Sequence, residues 1–288
     1  MAKSALLKSS IAKKYWMALT GLFLCLFLAG HLAGNLQLLV PNNALNFNQY
    51  ALFMTTNPAV KILSYLTYIS ILFHAIDGIL LTIQNKKARP VGYAKSNPSA
   101  NTSFASRNMA VLGTLVLVFI AIHMVNFWAK MHFDKNMPLM TKTIEVQGQK
   151  QLFYVGTQVG QYFPVQQVAK EDEKLEQGMM PKQFVIKNRT ELHYSQADIK
   201  AADLYKDLYK LTLDFFKDPK LGLWFTIFYV LSMVALAFHL WHGFQSAFQS
   251  LGVNSSKLTP AIKIFGKAFS IIVPLLFAII PVILHFKK

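Results

Sequence analysis

Residues 15–40 read YWMALTGLFLCLFLAGHLAGNLQLLV, with no charged side chain anywhere in the run. A bilayer crossing needs about 20 predominantly apolar residues, so the stretch reads as a membrane span, and His31 lies well inside it. Four more apolar stretches are long enough to cross: about Pro58–Gln84, Met109–Ala129, Leu221–Leu251 and Ala261–Phe286. Three of these four carry an interior histidine, His74, His123 and His239. The expected fold class is therefore an all-α polytopic membrane protein, a bundle of five transmembrane helices. Asn57 and Pro58 supply an N-cap and a first-turn proline for the second span. Pro274 and Pro281 should kink the fifth, where neighbouring groups can satisfy the freed backbone.

An ionisable side chain in a membrane span is costly and marks function by default. Imidazole is also a usual ligand of haem iron. Any one of these histidines could simply hydrogen-bond a neighbouring helix. One on each of four spans points instead to paired ligands inside the bundle.

Composition agrees. Of the 288 residues, 53% are hydrophobic and only 15% charged, whereas a soluble domain carries about a quarter charged. The net charge of +16 does not read as a nucleic-acid footprint, because the basic residues flank apolar runs, where they orient a membrane protein. The single cysteine, Cys25, lies in the first span. Iron–sulfur clusters need several cysteines and covalent haem a C-x-x-C-H run, so this chain holds neither, and Cys25 reads as a packing residue. The first span is too long for a signal-peptide core and carries His31, Asn35 and Gln37, so it is read as retained.

Between spans three and four lies a polar insert, residues 130–220. It holds 14 of the 29 basic residues and 12 of the 13 acidic ones, leaving Asp77 as the single acid elsewhere. The domain layout is thus 1–129 for spans one to three, 130–220 for a water-facing lobe, and 221–288 for spans four and five. Ser195 and Asp198 could form a capping box, opening an amphipathic helix over Ala197–Phe216. Phe153, Tyr154, Phe163, Phe184, Tyr205 and Tyr209 could build a small core. The N-terminus carries Lys3, Lys8, Lys13 and Lys14, and the second loop Lys86, Lys87, Arg89, Lys95 and Arg107, while the first loop, Pro41–Asn57, has no charge. By the positive-inside rule the N-terminus is cytoplasmic, and with five spans the insert and the C-terminus lie outside. Lys287 and Lys288 weakly oppose this.

The histidines fall into two depths. At 1.5 Å per residue, His31 and His123 lie roughly 24 and 21 Å from the inner ends of their spans, and His74 and His239 roughly 15 and 18 Å. Two layers of two suit two bis-histidine haems stacked across the membrane. His242, three residues after His239, competes for the fourth position. Gly78 and Gly243 stand at i+4 from His74 and His239 and would leave room for a flat macrocycle, but Ser246 stands likewise to His242.

The segments GHLAGN, FHAIDG, AIHMVNFW and FHLWHG, one in each of the first four of five spans, resemble the di-haem cytochrome b membrane anchor of succinate dehydrogenase and quinol:fumarate reductase. The resemblance covers the spans, about two thirds of the chain; the long insert departs from it. It implies two b haems, ligated by His31 with His123 and by His74 with His239, the first histidine of an H-x-x-x-G run. It implies an electron-transfer subunit with no catalytic residues of its own. Flavoprotein and iron–sulfur partner subunits would lie on the cytoplasmic side, and the membrane quinone, menaquinone in the di-haem type, would be the substrate. The setting would be the lipid of a bacterial cytoplasmic (inner) membrane.

Other polar residues are candidates with a structural alternative each. Asn35 and Asn126 face the outer layer and could bond a quinone carbonyl or another helix. Asp77, one turn from His74, could handle protons or simply sit near the membrane face. Arg89 and Arg107 could pair with haem propionates, or serve as positive-inside anchors. Rival readings are the cytochrome b subunit of a hydrogenase or formate dehydrogenase, and a transporter without cofactor.

Overall fold

The computed structural model describes residues 9–91, 97, 100, 102–170 and 182–287. Lys3, Lys8, Lys95 and Lys288, which enter the charge argument, lie outside the described residues. The chain is mostly helical, and five helices are long and apolar enough to cross a membrane: Ile11–Leu39, Pro58–Ala88, Met109–Phe133, Gly222–Ser250 and Leu258–Phe286. Each matches an expected span to within a few residues. Ser9 caps the first, its hydroxyl accepting the Ala12 N–H at 3.4 Å. Pro58 opens the second, where its missing N–H costs nothing. The third is α-helical to His123, widens to a π-helix over Met124–Ala129 and closes on an α-turn, Lys130–Phe133. The fifth remains helical through both prolines.

The chain divides into two compact units: residues 1–39, 58–122 and 216–288, and residues 40–57 and 123–215. The first unit contains spans one, two, four and five and span three up to Ile122, while residues 123–133 at the end of span three belong to the second unit. Spans four and five pack along most of their length, and span one packs on spans two and four. Gly266 permits the closest approach, since a Cβ there would meet the Phe244 ring at 2.7 Å. Cys25 is buried in a core with Met233, Leu236, Leu240 and Phe244. Faces turned away from this core stay apolar and exposed, with Leu26, Ile62, Tyr65, Trp224 and Ile264 among them. That is the surface a lipid-embedded bundle presents.

The second unit corrects the all-α expectation, because it contains two sheets. Thr141–Val146 (β1), Gln149–Val155 (β2) and Tyr162–Pro164 (β3) form an antiparallel sheet in that order. Gln147 and Gly148 both have positive φ, the requirement of a tight two-residue hairpin. Val168–Lys170 (β4) runs parallel to Phe184–Lys187 (β5), and Glu191–Tyr194 (β6) and Lys200–Asp203 (β7) complete an antiparallel set. The core holds Val168, Phe184, Ile186, Leu192, Ala202 and Leu204, with Tyr154 and Phe163 against it.

The capping box is also corrected. Asp198 adopts a positive φ in the turn from β6 to β7. Its carboxylate accepts from Lys187 at 2.7 Å, which holds its pKa below the ordinary range. Alternation in Glu191–Tyr194, with Leu192 wholly buried, is a strand period and outweighs the local cap. The amphipathic helix is shorter than expected, Leu208–Lys217. Hydrogen bonds from Asn188 and Lys200 hold the Glu191 carboxyl down at about 2.

The uncharged first loop folds as a helix, Ala44–Thr56, whose Ala44, Leu45 and Leu52 pack on Met140, Val155 and Tyr205. Asn48, only 1% exposed, donates from Nδ2 to Asp207 Oδ1 at 2.8 Å and accepts the Tyr209 N–H at 3.0 Å. Asp207 Oδ1 also accepts the Lys210 N–H at 2.9 Å. Replacing Asn48 by alanine leaves buried groups unpaired and should cost about 2 kcal/mol. Limited proteolysis of the detergent-solubilised chain should then cleave within residues 130–215 faster than in the wild type; an unchanged rate would show that the latch contributes nothing.

Candidate functional site

His74 of span two and His239 of span four approach each other inside the first unit. Their ring centres lie 6.1 Å apart, with ring planes inclined at 70°. Two imidazole nitrogens at about 2 Å on opposite sides of one metal ion place their ring centres about 6 Å apart. The separation therefore fits a shared metal, and it is too long for a direct hydrogen bond.

Each ring lies against a glycine of another span. A Cβ on Gly21 of span one would come 3.1 Å from Cε1 and 3.6 Å from Nδ1 of His74. A Cβ on Gly113 of span three would come 3.5 Å from Cε1 and 3.7 Å from Nδ1 of His239. The same edge of both rings thus meets bare backbone. Neither glycine is singled out by sequence reading; their only signal is position, ten residues before His31 and ten before His123. Gly78 and Gly243 face elsewhere, toward the Met17 and Met109 side chains at 3.9 and 3.3 Å.

The ring nitrogens are not equivalent. Nδ1 of His74 lies 3.3 Å from Thr20 Oγ1. Nδ1 of His239 is buried with no hydrogen-bond partner among the described residues. A buried polar atom left unpaired costs about 1–3 kcal/mol, so His239 stands at a position that packing alone does not justify. His242 differs: its Nε2 is engaged by Ser246 Oγ at 3.1 Å on its own helix. Asp77 is half-buried.

The other candidates occupy separate surroundings. In the first unit, His31 stacks on Phe27 at 5.3 Å and meets Phe277 of span five at 5.8 Å. Asn35 donates its amide back to the His31 carbonyl at 2.8 Å, so that N–H is occupied. In the second unit, His123 contacts Phe127 at 5.3 Å, and the π-helix begins at the next residue. Such wide turns often accompany functional positions. Within it Asn126 Nδ2 is buried and has no hydrogen-bond partner among the described residues. Arg107 donates to the Thr102 carbonyl beside the short turn Phe104–Arg107, and Arg89 is exposed just past the end of span two.

Among the described residues, no group of three or more His, Cys, Asp or Glu side chains converges; the His74–His239 arrangement offers two donors. Comparisons with known protein families, with curated proteins and with solved structures found no match to this chain.

Proposed function

We propose that this chain is the membrane-anchoring cytochrome b subunit of a succinate dehydrogenase or quinol:fumarate reductase, carrying electrons between an iron–sulfur partner subunit and a membrane quinone. The observation that carries this reading is the His74–His239 pair, 6.1 Å between ring centres, with glycine backbone against each ring. A bis-histidine b haem supplies a one-electron iron couple with no open position for oxygen.

In this reading His74 and His239 would hold the haem nearer the cytoplasm and His31 with His123 the outer one. The buried amide of Asn126 is the stronger of the two candidates for a quinone carbonyl, since the Asn35 amide already bonds the His31 carbonyl. Menaquinone is the proposed quinone. Asp77, the only acid outside residues 130–220, is the proposed proton-handling group. Arg89 and Arg107 are proposed partners for propionates. The flavoprotein and iron–sulfur subunits would dock on the basic, cytoplasmic side of a bacterial inner membrane. The second unit would face away from it.

Haem extracted from the purified chain should amount to about two per protein, as four axial histidines require; a ratio near one would remove a layer, and none would end the reading. Replacing His239 by alanine should abolish one of two redox transitions, while His242→Ala should leave both. The reverse result would move the ligand to His242.

Orientation has its own test. Single cysteines Q149C and K95C, each in a Cys25→Ala background, should differ in spheroplasts. An impermeant thiol reagent should label Q149C and spare K95C. Labelling of K95C alone would invert the chain and bring the His31 and His123 layer to the cytoplasmic side.

A further inference from the structure

We propose that Thr20 is a positioning residue for His74, accepting its Nδ1 proton and leaving Nε2 as the ligating nitrogen, with the adjacent Gly21 clearing the ring edge. The inference rests on the haem reading above and adds residues of span one to it.

Proton counting carries it. A threonine hydroxyl has one proton to give and two lone pairs. Thr20 Oγ1 lies 2.7 Å from the Trp16 carbonyl and 3.2 Å from the Met17 carbonyl. Both are acceptors only, so the single proton is spent on them, with the Trp16 contact the shorter. What Thr20 presents to His74 Nδ1 at 3.3 Å is therefore a lone pair. The nitrogen facing it must carry hydrogen. A neutral imidazole has one N–H, so with Nδ1 protonated Nε2 holds the free pair. Metal-ligating histidines are generally fixed in this way, by an outer partner on the second nitrogen.

Gly21 completes the arrangement. A Cβ at 3.1 Å from Cε1 would force the ring to shift by a few tenths of an ångström, and Cε1 is bonded to the ligating Nε2. Span one thus sets both the tautomer and the seat of a histidine that belongs to span two. His239 has only the glycine half of the device, since its Nδ1 has no partner among the described residues. The two ligands of one layer are therefore unequally polarised.

An acceptor on Nδ1 raises ligand basicity and favours oxidised iron. Redox titration of the purified chain, read in the visible α-band and by low-temperature EPR, tests this. Thr20→Val should keep two haems and raise the inner midpoint, by about 30 mV for a roughly threefold change in relative affinity for oxidised and reduced iron. The outer midpoint should not move, and Thr20→Ser should restore the inner value. Gly21→Ala should alter the EPR signal of the inner centre alone. A Thr20→Val chain with wild-type midpoints and EPR signal overturns the Thr20 role, as does a Thr20→Ser chain that fails to restore the inner value. In either case a wild-type chain with two transitions leaves the haem reading intact. A wild-type chain without haem would instead remove the reading itself.

Discussion

An imidazole placed in the middle of a lipid-facing bundle must account for two ring nitrogens, and there is no water at that depth to do it. This constraint organises the first unit. For His74 one nitrogen is met by span one, through Thr20. For Nδ1 of His239 no such partner stands among the described residues. Leaving such groups unpaired in hydrocarbon is expensive, and replacing the histidines by leucine would have been the cheaper way to fill the space. The rings are instead held 6.1 Å apart by neighbours small enough to keep their edges clear. In the haem proposal, a ligand bonding one nitrogen of each ring would relieve the cost.

The glycines extend this beyond one pair. Gly21 and Gly113 lie ten residues before His31 and His123, about 15 Å along a helix. Spans one and three therefore share one design: a bare backbone position at the level of the inner histidines, then a histidine three turns further out. It is not legible in sequence, where spacing marks only Gly78 and Gly243, at i+4 on the histidines' own helices. Those glycines face methionines of other spans. A glycine that makes room for a ring is best sought on the helix opposite the ring, since a helix does not crowd its own side chain in the way a neighbour does.

The spans were legible because lipid imposes a length and a composition that nothing else in the chain satisfies. The second unit was not, and the reasons are local. Its strands are short, three to seven residues, too brief for a clear period. Its hairpin turns at Gln147–Gly148, not at an Asn-Gly or Asp-Gly pair. Ser195 and Asp198 satisfy a capping spacing, yet Asp198 sits in a turn where Lys187 and His193 hold it. The helix of the first loop was hidden by its lack of charge, which was informative about orientation but silent about structure. The aromatic residues expected to form a core did so in part, with Phe184 and Tyr205 buried and Phe47 joining Tyr209 edge-on at 5.9 Å.

The second unit also places a demand on assembly. Asn48 and Asp207 are separated by 159 residues, and spans two and three lie between them in the chain. Their hydrogen bond forms only after both flanking loops have reached the same side of the membrane, so the unit cannot be complete before span three is inserted. The inner histidine pair makes no such demand on it: His74, His239, Thr20, Gly21 and Gly113 all belong to the first unit. The inner histidine pair and the polar lobe thus belong to different units. His123 is the first residue of span three that belongs to the second unit, and the wide π-turn begins one residue later, a feature that often marks functional positions.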